Sequence, residues 1–363
     1  MNILTAIMLL FAAAGFIDKM FSLRWGLSEY FDKGLYVMGT MVIPIMGVCS
    51  VGFEFVARHQ EAIVSGTAGL PFDPTMIFGV LIAPDLGGYY LVKAIAPTPE
   101  ILILNGVILG TVLGQAICFQ LPVFLASVGR QNRRFVLRGF LVGFTMIPLG
   151  MLAGQAVLQA PAGVFLAEFI PILVLCMLLA LGLYKIPDGM IRGFGIIGKL
   201  IQLATNLMFA IAVVGLFVPR LAYADAEIVH DALIIVFKSA VIISGSLVMS
   251  QLILKLFRPQ LQRFATRIGV NEVSVVCMLM NCATSLAILP MFDRMDDKGK
   301  LMNSAFSISG AYIIGGSMAF VSAVSDGFTV GVFLLAKAVS GLASMVLMHL
   351  IYEREQNPAN SDR

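Results

Sequence analysis

The sequence predicts an all-α polytopic membrane protein of about 9–11 transmembrane helices, with two interrupted or re-entrant segments arranged as an inverted repeat. Three observations carry this. Apolar residues make up 59% of the chain and charged residues only 12%, with mean hydropathy +0.94, against roughly 45–50% and about 25% in soluble domains, so lipid is the main solvent. Two of the apolar runs, 73–95 and 271–292, are broken near their centres by polar, Pro or Gly residues. Lys and Arg are concentrated in loops on one side of the chain's path.

Taken in order, uninterrupted spans are expected at 2–22, 35–57, 100–126, 134–158, 165–184, 192–218, 231–257, 301–324 and 327–352, each long enough for a helix across ~30 Å of hydrocarbon. The first lacks a basic n-region and runs into Ile17-Asp18-Lys19, which reads as a retained span rather than a signal peptide. The interrupted segments offer two arms of about ten residues each, a re-entrant length. If both re-enter, 18 basic residues lie on the cytoplasmic side against three outside, Arg58, Lys93 and Arg220, with Lys199, Lys238 and Lys337 inside spans. If both cross, the division is 11 to 10. The positive-inside rule therefore predicts re-entrance, an outside N-terminus and a cytoplasmic C-terminus.

A shift of 198 positions overlays Gly47 on Gly245, Asp73 on Asn271, Leu81 on Leu279 and Asn105 on Asn303 without a gap. Residue identity along the overlay is close to chance, so the order of features carries the comparison. It divides the chain into a membrane repeat over 1–158, a linker helix over 159–190, a second repeat over 191–352 and a polar tail over 353–363. Repeats inverted across the bilayer, with sites at broken helices, are a common transporter architecture.

The first break reads Ala83-Pro84-Asp85-Leu86-Gly87-Gly88-Tyr89-Tyr90. Pro removes a donor, the glycines loosen the chain, and a carboxylate at membrane depth costs about 2.5–3.5 kcal/mol on insertion scales. Asp85 thus needs a partner, a water-lined cavity or a proton. It is either a substrate or proton site or a cap on the half-helix that starts near Gly88. Tyr89 suits an amine cation or an interfacial belt. In the second break Asn281, Thr284 and Ser285 suit a substrate hydroxyl or amine, or hydrogen bonds between helices. Gln115, Gly316 and Ser317 sit in the spans that follow the breaks, where glycine also permits close helix packing. Gly87 and Gly88 complete the candidate set.

The five Cys lie in apolar runs with no CxxC spacing and the three His are scattered, so no metal site or cofactor is expected. A net charge of +3 gives no sign of nucleic acid. The expected partners are a small-molecule substrate and the lipid bilayer, and a homo-oligomer is compatible with the sequence. No nucleophile elbow, phosphate loop, HExxH or spaced carboxylate pair is present, so the expectation is a transporter and not an enzyme.

Phe31-Asp32-Lys33-Gly34-Leu35, Asp73-Pro74 with Ala83-Pro84-Asp85-Leu86-Gly87-Gly88-Tyr89, Ile186-Pro187-Asp188-Gly189-Met190-Ile191 and Met295-Asp296-Asp297-Lys298-Gly299-Lys300 occur in that order. Their order, running on through Leu301-Met302-Asn303-Ser304-Ala305-Phe306, resembles the ethanolamine permease family of bacterial ethanolamine-utilisation operons, EutH, over nearly the whole chain. The resemblance implies a multi-pass facilitator for ethanolamine in the bacterial inner membrane, without a cofactor, in which Asp85 matches the acid before the family's Gly-Gly. Where the family often carries tandem Asn this chain has Thr284-Ser285, and where it often carries Gly-Asp-His this chain has Gly315-Gly316-Ser317. One carboxylate fewer weakens the case for the ammonium form. The alternatives are a transporter of another small polar amine or alcohol, a membrane-embedded enzyme or a receptor.

Overall fold

The computed structural model describes residues 3–356, of which Leu4 is placed in its backbone only. It is all-α, with no strand among the described residues. Among the described residues seven helices are long and apolar enough to cross a bilayer, including α2 (Ser28–Arg58) and α6 (Pro99–Ser127). The other five are α7 (Arg130–Leu158), α8 (Ala162–Lys185), α9 (Pro187–Phe217), α10 (Ala226–Leu256) and α15 (Gly327–Gln356). Before α2 lies α1 (Ile3–Phe21), and α3 (Gln60–Gly66) is a short surface helix.

The segment 73–95 folds as α4 (Thr75–Leu81) and α5 (Gly88–Ile95), joined by a tight turn at Pro84–Leu86. The arms lie against one another and both pack on α6. At seven and eight residues each arm is about 10–12 Å long, far short of a bilayer. After the short α11 (Arg258–Ile268), the segment 271–292 folds as α12 (Glu272–Ala283), followed by a narrower 3₁₀ stretch, Ser285–Arg294, that packs back on it. Both predicted interruptions are present.

The expected span 301–324 is not continuous, which is a correction. It is two helices, α13 (Asp297–Ser309) and α14 (Gly316–Val324), separated by a non-helical stretch. Tyr312 adopts the left-handed region at φ 61° there. The stretch is tied to the end of α12 by Tyr312 N–H donating to Asn281 O (3.2 Å) and Ile314 N–H donating to Cys282 O (3.1 Å). Gly315 allows this approach: a Cβ on it would lie 1.7 Å from Ala283 O. Residues 353–356 of the expected tail continue α15, where Glu353 bonds Lys298 and Glu355 bonds Arg138. The rest of that tail, 357–363, lies outside the described residues, as do 1–2 at the start of the first expected span.

Element starts recur at the offset read from the sequence. Ser28 and Ala226 begin α2 and α10, 198 residues apart, and Pro99 and Asp297 begin α6 and α13 at the same offset. Close packing recurs with them. A Cβ on Gly47 would meet Thr205 O and Phe209 N of α9 at 2.7 Å, and one on Gly245 would meet Met8 O of α1 at 1.9 Å. These glycines let α2 and α10 touch their neighbours backbone to backbone, as small residues do in membranes.

The helices fall into two packing groups. α1, α2, α9 and α10 form one, with α2 packed along α10. The interrupted segments, α6, α7, α13 and α15 form the other, with α7 packed against α8, α13 and α15. α8 and α9 present their apolar faces outward, only 11% of the α9 span being buried, as expected of lipid-facing helices.

Candidate functional site

A cavity of about 480 Å³ lies on the seam between the two groups. Lys33, Val37 and Met41 of α2 and Ile243 and Ser246 of α10 form one wall. Asp85, Gln115, Thr284, Tyr312 and Gly316 form the other. All three helix breaks therefore contribute to it.

The turn that carries Asp85 is set by its neighbours. Pro84 starts it, Gly87 N–H closes it on Pro84 O (2.9 Å), and Gly87 takes φ 94°, which only glycine adopts readily. A Cβ on Gly87 would also lie 2.2 Å from Val48 Cβ. Gly88 starts α5 against Ile82 O, 2.3 Å from where its Cβ would be. Both glycines shape the turn and neither lines the cavity. Asp85 does not cap α5, whose N-terminus has no side-chain partner. Its Oδ1 is buried without a hydrogen bond. A methyl group on Gly316 would sit 3.8 Å from its Oδ2, so the carboxylate lies beside the first residue of α14. That end of a helix carries unpaired N–H groups and a partial positive charge.

Gln115 faces the same space from α6. Its Oε1 accepts from Ser317 Oγ (3.0 Å) and Lys337 Nζ (3.3 Å). A lysine ammonium is a donor only, so the amide oxygen must face it and the amide NH₂ points the other way. Lys337, 1% exposed, also donates to Ala311 O in the third break. Ser285 does not line the cavity but donates to Tyr312 Oη (2.8 Å), fixing that ring in the wall.

Two expected site residues lie elsewhere. Asn281 is fully buried between helices, donating to Asn303 O (3.0 Å) and Ser307 Oγ (2.9 Å). Tyr89 sits in an aromatic layer, its ring 5.6 Å from Tyr90 and 6.1 Å from Phe320. Tyr90 also lines a second cavity of about 340 Å³, with Cys49 and Phe53 of α2, Lys93, and Asp231 and Lys238 of α10. Residues 33–41 of α2 line the first cavity and 49–53 the second, whereas on α10 the order reverses, 243–247 then 228–238. The two helices are antiparallel, and the cavities lie at different depths along them.

Tyr312 and Lys337 were missed by sequence reasoning. Tyr312 is masked because the break around it looks like a small-residue packing patch in an apolar run. Lys337 stands alone in the last span, where snorkelling is the ordinary account; its isolation was the available signal. Glu168, which reads as a span-end acid, is buried: it accepts from Asp73 N–H (2.8 Å) and Asn105 Nδ2 (2.8 Å) and ties α8 to the first interrupted segment.

The ethanolamine utilisation protein EutH family matches residues 1–351. The chain belongs to the EutH family. It is 27% identical over 346 residues to a protein of Listeria monocytogenes named "Probable ethanolamine permease EutH", covering 95% of this chain and 92% of that one. It is similar to the proteins of the same name from Salmonella typhimurium, 27% identical with 93% and 89% covered, and Escherichia coli, 26% identical with 96% and 91% covered. No solved structure matches the chain. As a EutH family member with seven long apolar helices, it is a multi-pass membrane protein.

Proposed function

We propose that this EutH protein carries ethanolamine across the bacterial inner membrane without chemical change, through the cavity at Asp85. The observation that carries the reading is Asp85 itself, an acceptor in the cavity wall whose buried Oδ1 has no protein partner. A buried carboxylate oxygen left unpaired is costly unless a ligand, water or a proton completes it. In this reading Asp85 accepts from the amine, the Gln115 amide NH₂ donates to the hydroxyl, and Thr284 and the Ser285–Tyr312 pair shape the pocket. Gly316 leaves room beside the carboxylate, Ser317 holds Gln115, and Tyr89 acts through the aromatic layer that closes the far side. Gly87, Gly88 and Asn281 hold the breaks in shape.

The matched element starts, together with the antiparallel course of α2 and α10, support two inverted repeats over 1–158 and 191–352 joined by the helix within 159–190. Loop charge supports an outside N-terminus and a cytoplasmic C-terminus, and in that orientation the Lys33 end of the cavity faces the cytoplasm. Motion of the interrupted group against α2 and α10 would then open the two cavities in turn.

A second reading, carriage of a larger amine or alcohol, is favoured by the cavity's size. At about 480 Å³ it is far larger than ethanolamine, which has only four heavy atoms. Counterflow in liposomes holding purified protein separates the two. Ethanolamine should exchange with labelled ethanolamine and be recovered unchanged. Stronger competition by bulkier amino alcohols supports the second reading, and absence of exchange with either rejects carriage.

A further inference from the structure

Lys337 is the charged group that the transport reading leaves without a task. Its ammonium is sealed in the protein and held by two neutral acceptors, Gln115 Oε1 and Ala311 O. It has no ion pair among the described residues. Asp85 shares the cavity wall with Gln115, the residue whose amide oxygen accepts from Lys337. The elements packed around it offer no alternative. α7 is apolar where Gly150 meets Ala336 and Ser340, and its basic residues, Arg130, Arg133, Arg134 and Arg138, lie at its other end. α13 carries Asp297, Lys298 and Lys300 only in its first turn, α14 has no ionisable residue, and α6 has only Glu100 at its far start and Cys118. Tyr312 lies in the break itself.

With Asp85 ionised and Lys337 protonated, the two charges cancel before an amine enters. An ammonium substrate entering beside Asp85 adds an uncompensated charge to a region walled by low-dielectric protein, where like charges repel strongly. Lysine is suited to relieve this because burial lets it lose its proton, which arginine does not do.

We propose that Lys337 is the coupling residue of this site: binding of a protonated amine at Asp85 expels one proton from Lys337, so that the loaded site stays neutral and the amine crosses with no net charge. The inference rests on the ethanolamine reading and adds to it the ion exchanged. In the step the Nζ–H bond breaks, the electron pair stays on Nζ, and the proton passes to water that reaches Lys337 as the interrupted group moves against α2 and α10. The substrate keeps its own proton. Release on the far side reverses the step, with a proton taken up by Lys337. Ending the carbonyl row of α13, as cations at helix C-termini do, is the purely structural role for the same contact with Ala311.

The test is proton release on binding, followed in weakly buffered detergent solution at pH 7 with the full-length protein, alongside calorimetric binding of ethanolamine. The wild type should release about one proton per amine bound, since a free alkylamine of pKa near 10 is already protonated. Lys337→Gln should bind without release. Lys337→Arg keeps the charge and the contact to Ala311, so it should fold, yet bind at least tenfold more weakly. Amine binding by the wild type without proton release overturns the inference and leaves the ethanolamine reading standing. Release unchanged in Lys337→Gln, or unchanged affinity in Lys337→Arg, overturns it too and leaves Lys337 a structural cap. No binding by the wild type overturns both.

Discussion

Gln115 and Lys337, on α6 and α15, meet 3.3 Å apart in the protein interior, and the amide oxygen is the lysine's only side-chain acceptor among the described residues. The same oxygen accepts from Ser317. One residue of the first half thus holds together two residues of the second, at the wall of the cavity that contains Asp85.

Gln115→Leu removes that shared acceptor with little change in volume. It leaves a buried ammonium with one partner and a buried hydroxyl with none, at about 1–3 kcal/mol for each unsatisfied group. A thermal unfolding series in detergent should show a lower Tm, and Lys337→Met in the same background should restore part of the loss by removing the orphaned charge.

The first interrupted segment depends on Gly79. A Cβ there would lie 2.1 Å from Asn105 O, a backbone atom that cannot step aside. Gly79→Ala should force α4 off α6, costing about 1–3 kcal/mol or more, and should remove the bond from Asn105 to Thr75 (2.9 Å). Faster protease cleavage near the 82–87 turn, with the rest of the chain protected, is the expected readout.

Tyr89, Tyr90 and Phe320 form an aromatic layer, and Tyr90 lines the second cavity. Phe320 is fully buried, so Phe320→Ala should cost about 3–5 kcal/mol of stability and leave a void in the layer. If the layer is the closed end of the pathway, liposomes with this variant should leak small amines down a gradient faster than wild type. An unchanged leak assigns the layer to packing alone.

Much of this was legible in the sequence, and the gaps have physical causes. Hydropathy located the seven long spans because lipid demands about twenty apolar residues in each. Pro84 and the Gly87-Gly88 pair marked the first break because few other residues make that turn. The overlay of Asp73 on Asn271 and Asn105 on Asn303 pointed at matched positions: Asp73 and Asn271 each accept from the first turn of the following short helix, and Asn105 and Asn303 each donate to it. The third break was not legible. Gly310 to Gly316 reads as ordinary close packing, and the backbone bonds that hold it open come from α12, far away in the chain. Asn281, an amide in an apolar run, reads equally as a substrate contact or as a bond between helices, and its NH₂ bonds two groups of α13. The partners of Asn281 and of Lys337 are tertiary, and no local pattern encodes them.

The central claim, that Asp85 receives the amine, is tested most directly by uptake of labelled ethanolamine into liposomes holding wild-type or Asp85→Asn protein. The variant keeps the shape of the side chain and removes its charge, so it should reconstitute and unfold like wild type. The account predicts that its uptake falls at least tenfold, with a matching loss of affinity. Uptake at the wild-type rate with the same dependence on pH would contradict it.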